Sequence, residues 1–254
     1  AQESRGLGDV YKRQDPVEQI NINDCSIVLE YAKTTYTGQA KQPAVSVKFS
    51  DAELIKNQDY TVTYTSNVKC GTANVKIIGA GNYTGTATRT FKIVPKKASG
   101  FSTKRTTSAI TLSWKAVSGA VGYKVYKSTS PNGKYSKIGT VTKPTIKVSK
   151  LKSGTKYYFK VVAYGKKDGS YAGDMSAAFY TGTQPQKVTL KKVTKSGSKL
   201  NIKWSKVNGS GYEIQYSTDK NMKKGVKTVK VKSASTTSKT IKNIKKNSTY
   251  YVRV

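Results

Sequence analysis

Two short stretches, Ser108-Ala-Ile-Thr-Leu-Ser-Trp114 and Lys199-Leu-Asn-Ile-Lys-Trp204, have the same pattern of apolar residues. In each stretch every second residue is apolar, and the last apolar position is a Trp. The alternation places Ile110, Leu112 and Trp114 on one face of an extended strand, because successive strand side chains point to opposite sides. Such a face is typical of a strand that covers one side of a hydrophobic core.

The two stretches begin two copies of an internal repeat. The two Trp residues lie 90 positions apart, and Tyr157 and Tyr250 lie 93 apart. Between them, Gly122-Tyr-Lys-Val-Tyr126 and Gly211-Tyr-Glu-Ile-Gln-Tyr216 appear in the same order, which indicates a repeated module. An early Trp and a later Tyr suit a β-sandwich, in which the indole fills the centre and the Tyr hydroxyl bonds back to the backbone. The predicted structural core residues are Trp114, Tyr157, Trp204 and Tyr250.

Both copies resemble fibronectin type III domains. The corner of the sandwich is matched by Leu151-Lys-Ser-Gly-Thr-Lys-Tyr157 in the first copy and by Ile244-Lys-Lys-Asn-Ser-Thr-Tyr250 in the second. The resemblance implies β-sandwich domains over residues 95–183 and 184–254. The second copy stops at the position that corresponds to Val161, so we expect it to be C-terminally truncated.

Residues 20–94 follow a different plan. Alternating runs between Gly and Asn turns predict strands at Ser26–Tyr31, Ala44–Phe49, Tyr60–Thr65, Ala73–Ile78 and Thr86–Val94. Their spacing suits an antiparallel sandwich. Asp59-Tyr-Thr-Val-Thr-Tyr64 and Gly81-Asn-Tyr-Thr-Gly85 resemble segments of bacterial immunoglobulin-like modules from Gram-positive surface proteins. This resemblance implies a spacer module of a secreted or cell-surface protein and no catalytic residues.

The first residues fit neither kind of module. Residues 1–14, with SRGLGDVYKRQ at 4–14, resemble a translated sequencing adaptor, and residues 1–19 are interpreted as an artefactual or disordered leader. The predicted fold class is therefore all-β, with tandem immunoglobulin-like and fibronectin type III sandwiches of which the last is truncated. Pro95 and Pro185 lie in the short linkers and predict modest stiffness between the modules.

Basic residues are numerous and unevenly placed. The chain has 46 Lys and Arg against 13 Asp and Glu, a net charge of +33, and 41 of the basic residues are Lys. Residues 20–94 carry a net charge of +3, whereas residues 95–254 carry +31. Lys is a compact, hydrated charge, whereas Arg is the residue of bidentate recognition. The composition therefore predicts diffuse attraction to a polyanion.

Lys alternates with core residues along the predicted strands. Lys124, Lys160 and Lys203 lie beside apolar core positions and point outward, so they are the candidate polyanion contacts. A solvated strand face that resists edge-to-edge aggregation would explain Lys at these positions. It would not explain the scarcity of acidic residues, because a surface with both positive and negative charges would keep the protein equally soluble. We expect weak, salt-sensitive binding to an anionic cell-wall polymer or polysaccharide. No specific nucleic acid is expected, since no recognised binding motif is present.

The sequence offers no catalytic constellation. It contains no His, which removes the usual general base, the commonest metal ligand and any Ser-His-Asp or Cys-His arrangement. The four acids beyond residue 94 form no clear pair for glycosidase chemistry. We predict no catalytic residue, no metal site and no cofactor.

Three Tyr residues alternate with core residues along the strands and therefore point outward: Tyr126, Tyr158 and Tyr164. They are candidates for ligand contact, and the alternative is that they pair with side chains on neighbouring strands.

Cys25 and Cys70 both lie in the first module. Their spacing fits no zinc or CxxC pattern. In an exported chain two Cys most simply form a disulfide, which would contribute about 4 kcal/mol in the chain-entropy model. The alternative is two buried free thiols.

These observations favour a non-catalytic spacer and adhesive region of an extracellular, cell-surface bacterial protein that works beside other domains of the full-length protein. No apolar run reaches the length of a transmembrane helix. The alternative is a set of carbohydrate-binding accessory modules of a secreted polysaccharide hydrolase whose catalytic domain lies outside this fragment. A host adhesin is less favoured, because the sequence contains no Arg-Gly-Asp tripeptide.

Overall fold

The computed structural model describes residues 18–254, so nearly all of the predicted leader lies outside the described residues. Two compact units are present. The first holds the described residues up to Lys96 together with Gly165–Gly173, and the second holds residues 97–164 and 174–254. The first unit contains one hydrophobic core and the second contains two. Tandem β-sandwiches therefore make up the described chain, in which no helix has the length and hydropathy of a membrane span.

The first core is enclosed mainly by two sheets. Its strands are β1 (Ile20–Asn21), β2 (Ser26–Leu29), β3 (Lys33–Thr35), β4 (Val45–Phe49), β5 (Ala52–Glu53), β6 (Tyr60–Thr65), β7 (Gly71–Gly79), β8 (Tyr83–Thr84) and β9 (Thr86–Val94). A 3-10 helix at Ile22–Asp24 follows β1. The sheets run β2-β4-β5 and β3-β9-β7-β6, and β1 pairs with β8. Inward side chains such as Ile77 and Phe91 fill the space between the sheets.

Two strand pairs in the first unit are parallel, which differs from the antiparallel sandwich that the spacing predicts. β3 runs parallel to β9, with Lys33 opposite Lys92, and β1 runs parallel to β8. The Tyr36 amide continues the first pairing by donating to the Val94 carbonyl oxygen at 2.8 Å. The run Lys33–Thr35 is too short and too polar to show an apolar alternation, so the sequence pattern does not reveal β3.

Cys25 and Cys70 are free thiols, so the predicted disulfide is wrong. Cys25 follows the 3-10 helix, whose Asn23 side chain donates to the Thr86 carbonyl oxygen at 3.2 Å. Thr86 pairs with Ile78 near the end of β7, whereas Cys70 directly precedes the start of β7. The intervening strand spans roughly 20 Å or more. A disulfide needs Cα atoms within about 7 Å of each other, so the two thiols cannot meet.

The second core lies between sheets β10-β11-β14 and β13-β12-β15-β16. The strands are β10 (Ser102–Arg105), β11 (Ile110–Ser113), β12 (Gly122–Ser128), β13 (Ser136–Val141), β14 (Thr145–Val148), β15 (Lys156–Tyr164) and β16 (Phe179–Gly182). Trp114 follows β11 and is 5% exposed. Its ring meets that of Tyr123 edge-on, with centroids 5.2 Å apart. We call β10 to β16 the second module.

The third core repeats this arrangement. Its strands are β17 (Leu190–Ser196), β18 (Lys199–Trp204), β19 (Tyr212–Ser217), β20 (Lys227–Val231), β21 (Ser238–Ile241) and β22 (Tyr251–Arg253). The sheets run β17-β18-β21 and β20-β19-β22. Trp204 is 1% exposed and meets the Tyr212 ring at 5.2 Å between centroids. We call β17 to β22 the third module.

Tyr157 and Tyr250 occupy equivalent corners of the two modules. The Tyr157 hydroxyl oxygen accepts the backbone N–H of Lys152 at 3.0 Å. The Tyr250 hydroxyl oxygen accepts the backbone N–H of Lys245 at 3.1 Å. In both modules the ring packs against the core while the hydroxyl satisfies a loop amide, which joins the loop to the sandwich.

Replacing Tyr157 by Phe should lower the free energy of unfolding of the second module by about 1 kcal/mol, because the Lys152 amide loses its acceptor. Urea denaturation followed by Trp114 fluorescence, in a Trp204→Phe background, would measure the change. The matched control is Tyr158→Phe, which removes a hydroxyl from the next ring on the outer face. Equal destabilisation by both changes would contradict a specific role for the Tyr157 bond.

Candidate polyanion-binding surface

The outer face of the sheet β13-β12-β15-β16 carries two of the three predicted Lys contacts. Tyr123 and Val125 of β12 belong to the second core, so the alternate residues Lys124 and Tyr126 face outward. Lys160 faces outward on β15 by the same alternation and pairs in register with Tyr126. Lys124 and Lys160 therefore share one surface.

Ammonium groups on this module lie over Tyr rings. The Nζ atom of Lys160 is 4.4 Å from the centroid of the Tyr135 ring. The Nζ atom of Lys156 is 4.8 Å from the centroid of the Tyr180 ring. The negative face of a ring attracts an ammonium group without carrying a net charge. These contacts therefore hold the lysines in place while their positive charge remains available to an anion.

The Tyr rings themselves are grouped. Tyr158 on β15 lies directly opposite Tyr180 on β16, with ring centroids 6.1 Å apart and an interplanar angle of 46°. Burial, and to a lesser extent the neighbouring Tyr158, raises the pKa of the Tyr135 hydroxyl above its ordinary value. Lys160, whose ammonium group lies over the Tyr135 ring, shares the outer face of β15 with Tyr158, so Tyr135 belongs to the same patch. We call the patch formed by Tyr135, Lys156, Tyr158, Lys160 and Tyr180 the Tyr–Lys platform.

Exposure differs among these tyrosines. Tyr180 is 61% exposed, and Tyr126 and Tyr158 are half-buried. Tyr164, which alternation places on the outward phase, is only 4% exposed, so it is not available as a ligand contact. Its ring fills the space above Gly122, the residue directly opposite in the strand pair. The alternation with the inward Phe179 could have identified Tyr180 as an outward residue.

Lys203, the third predicted contact, lies elsewhere. It faces outward on β18 of the third module, directly opposite Lys192 of β17, and both side chains are exposed. Like charges directly opposite each other destabilise a strand pair. An anion bound between them would relieve this repulsion. Since Lys203 belongs to a sheet of the third module, it does not share a surface with Lys124 and Lys160 of the second module.

The third module shares only part of the Tyr–Lys platform, because Tyr251 takes the position of Tyr158 and Arg253 takes that of Lys160. There Glu213, Gln215 and Arg253 form a chain of hydrogen bonds. Arg253 Nε donates to Gln215 Oε1 at 2.6 Å, and Gln215 Nε2 donates to Glu213 Oε1 at 3.0 Å. The polar groups of this chain partner one another, so the two modules present different chemistry on the same face.

Asp219 is one of the four acidic residues in residues 95–254, and it forms hydrogen bonds within its own loop. Its carboxylate accepts the backbone N–H groups of Asn221, Lys223 and Lys224 at 3.0, 2.8 and 2.9 Å. These hydrogen bonds, that from Asn221 foremost, lower the pKa of the Asp219 carboxyl below its ordinary value. The bonds stabilise the ionised form, so this carboxylate keeps its role in the loop well into the acidic range.

Metal-ligating side chains are not clustered in residues 18–254. Within this range, no group of three or more His, Cys, Asp or Glu could hold a metal ion. The indoles of Trp114 and Trp204 are buried, and their N–H groups have no hydrogen-bond partner among the described atoms. Both therefore serve the cores and cannot act as sugar-stacking platforms. The surface of the second module presents Lys ammonium groups and the exposed Tyr180 ring.

Comparisons with known proteins identify one module. Residues 96–176 match the family model of the fibronectin type III domain, and no curated protein matches this chain. An Fn3-like protein from Clostridium thermocellum is 30% identical over 34% of this chain and 91% of its own, with a TM-score of 0.31. The chicken CNTN1 FN1-FN3 domains are 17% identical over 89% of this chain and 90% of theirs, with a TM-score of 0.33.

Proposed function

We propose that this chain is a non-catalytic spacer and adhesive region of an extracellular bacterial protein, and that its Lys-rich modules associate with an anionic cell-wall polymer. Fibronectin type III domains generally serve as spacer or adhesive modules and are typically non-catalytic. Successive sandwich modules suit the spacing role, because each has its own core. The adhesive role depends on the surface charge.

The observation that carries the adhesive role is the net charge of +31 over residues 95–254. Alternation places this charge on the outside of the second and third cores. The opposed Lys192 and Lys203 show that cations are tolerated even where they repel each other. A polyanion such as teichoic acid would neutralise these groups, and the attraction would be screened beyond roughly 8 Å at physiological salt.

Replacing Lys191, Lys192 and Lys199 by Gln should weaken binding to wall sacculi that carry teichoic acid by several-fold, because all three side chains are exposed in the highly charged third module. Binding by the unmodified chain should also fall steeply as salt rises, since polyanion binding releases counterions. A sedimentation assay over a salt series would measure both effects.

The matched control removes the same amount of charge from the first module. In this variant the exposed residues Lys56, Lys69 and Lys76 are replaced by Gln. It should change binding far less, because residues 20–94 carry only +3. Sacculi stripped of teichoic acid give the second control. Equal weakening by the two triple variants, or salt-independent binding, would contradict the proposal.

A carbohydrate-binding accessory role in a secreted polysaccharide hydrolase is the second candidate, favoured by the exposed ring of Tyr180. Salt separates the two functions. Binding to a neutral polysaccharide that persists at high salt and is lost on changing exposed Tyr residues would favour the accessory role.

A further inference from the structure

The Tyr–Lys platform differs from the rest of the Lys-rich surface because it combines charge with aromatic surface. Three Tyr rings and two ammonium groups converge there from the loop before β13 and from strands β15 and β16. The ammonium groups of Lys156 and Lys160 lie within 5 Å of ring centroids. A purely electrostatic surface would need no rings, so the rings indicate a ligand with apolar faces as well as negative charge.

We propose that the Tyr–Lys platform is a binding site for an acidic polysaccharide, a polymer of six-membered sugar rings that carry carboxylates. This inference rests on the proposed function, since both require attraction to an anionic polymer. It goes further by naming the ligand class and by placing the selective contacts on one sheet face of the second module.

The chemistry of the platform matches both parts of such a ligand. The C–H groups on the face of a sugar ring are weakly positive, and they complement the negative face of an aromatic ring. Tyr180 offers the most exposed ring, and Tyr158 extends the aromatic surface beside it. Tyr hydroxyls can exchange hydrogen bonds with sugar hydroxyls. The ammonium groups of Lys156 and Lys160 lie at the same rings and would pair with the carboxylates.

The geometry favours sugars over nucleobases. A nucleic-acid platform stacks successive flat bases on open ring faces. Here the rings of Tyr158 and Tyr180 are inclined by 46°, so one flat base cannot stack on both. The ammonium groups at the rings of Tyr135 and Tyr180 lie where carboxylates at the edge of a sugar ring could pair with them. A puckered sugar ring with hydroxyls at its edge can follow such an inclined surface.

The third module provides an internal comparison. There Tyr251 takes the position of Tyr158, but Thr249 stands at the position of Lys156, and Arg253, at the position of Lys160, is hydrogen-bonded to Gln215. Its exposed pair Lys192 and Lys203 has charge without aromatic surface. The third module should therefore contribute general attraction to polyanions and no selectivity for sugar rings.

The test uses the full chain and three polymers: polygalacturonate, inorganic polyphosphate and oligo-dT. Replacing Tyr158 and Tyr180 together by Thr, which also favours strands, should weaken polygalacturonate binding by about tenfold and leave polyphosphate binding unchanged. The single variant Tyr180→Thr should give part of this loss. The matched control is Tyr251→Thr, at the position of the third module that corresponds to Tyr158, and it should change neither affinity. The combined fluorescence of Trp114 and Trp204, one in each core, verifies that both modules remain folded in every variant.

Each other outcome is decisive. If polygalacturonate and polyphosphate both bind and neither depends on the tyrosines, the platform proposal falls while the proposed function stands. A loss confined to oligo-dT would replace the sugar ligand by a nucleic acid and overturn the proposal. If none of the three polymers binds, both the proposed function and the platform fail. Polygalacturonate binding that survives salt sufficient to abolish polyphosphate binding would add support.

Discussion

Replacing Trp114 by Ala should lower the free energy of unfolding of the second module by about 3–5 kcal/mol. The indole is 5% exposed and lies against Phe101 and Tyr123, with ring centroids 6.4 and 5.2 Å away. Its removal leaves a cavity in the centre of the core that rigid neighbouring strands cannot fill. Small domains are stable by only about 5–15 kcal/mol, so this single change removes much of the stability of the module.

Hydrogen exchange of the backbone amides of Val125 and Val161, which lie at the centre of the second core, would report the loss directly. The fluorescence of Trp204 follows the third module in the same sample and should show its usual unfolding midpoint in urea. Val121→Ala, at an exposed position, is the control and should change stability by less than about 0.5 kcal/mol. An unchanged exchange rate in the Trp114→Ala variant would contradict the central role of this indole.

A Trp114→Phe variant separates packing from polarity. Phe keeps an aromatic ring in the core and removes an indole N–H that has no hydrogen-bond partner among the described atoms. Since an unpartnered buried donor is itself unfavourable, the cost of Phe should be well below that of Ala. The difference between the two variants therefore measures the value of the ring.

Replacing Gly122 by Ala should cost the second module about 1–3 kcal/mol through overpacking. A Cβ atom at this position would lie 2.1 Å from the hydroxyl oxygen and 2.4 Å from Cζ of Tyr164. Tyr164 is buried, so its ring can move aside only by leaving the packed site between Gly122 and Lys124. The steric clash, and not backbone strain, is the cause.

A double-mutant cycle with Tyr164→Ala tests this cause. Without the large ring, Gly122→Ala should cost less than about 0.5 kcal/mol, so the two changes should be strongly non-additive. Gly209→Ala serves as the control, because the nearest heavy atom to its added Cβ lies 4.0 Å away. Additive costs in the cycle would show that Gly122 is required for a reason other than the Tyr164 ring.

The candidate site could be predicted from the sequence only in part. Alternation beside Tyr123 and Val125 is enough to point Lys124 outward. It cannot show that Tyr135, which lies in a loop before β13, comes to rest beneath the ammonium group of Lys160. Alternation also assigns Tyr164 to the outer face, where the ring is nevertheless covered because Gly122 leaves room for it. Ring contacts of this kind depend on neighbours that are distant in the chain.

The repeated strands, the two core Trp residues and the absence of His can all be read from the amino-acid sequence. These are local properties, because the side-chain period of a strand and the presence of a residue type can be read from a short segment. Three features need the folded structure: the parallel pairing of β3 with β9, the separation of Cys25 and Cys70 along β7, and the meeting of tyrosines and lysines in the platform. The reason is that these features depend on which strands become neighbours, and pairing between distant segments leaves no periodic signal in either one.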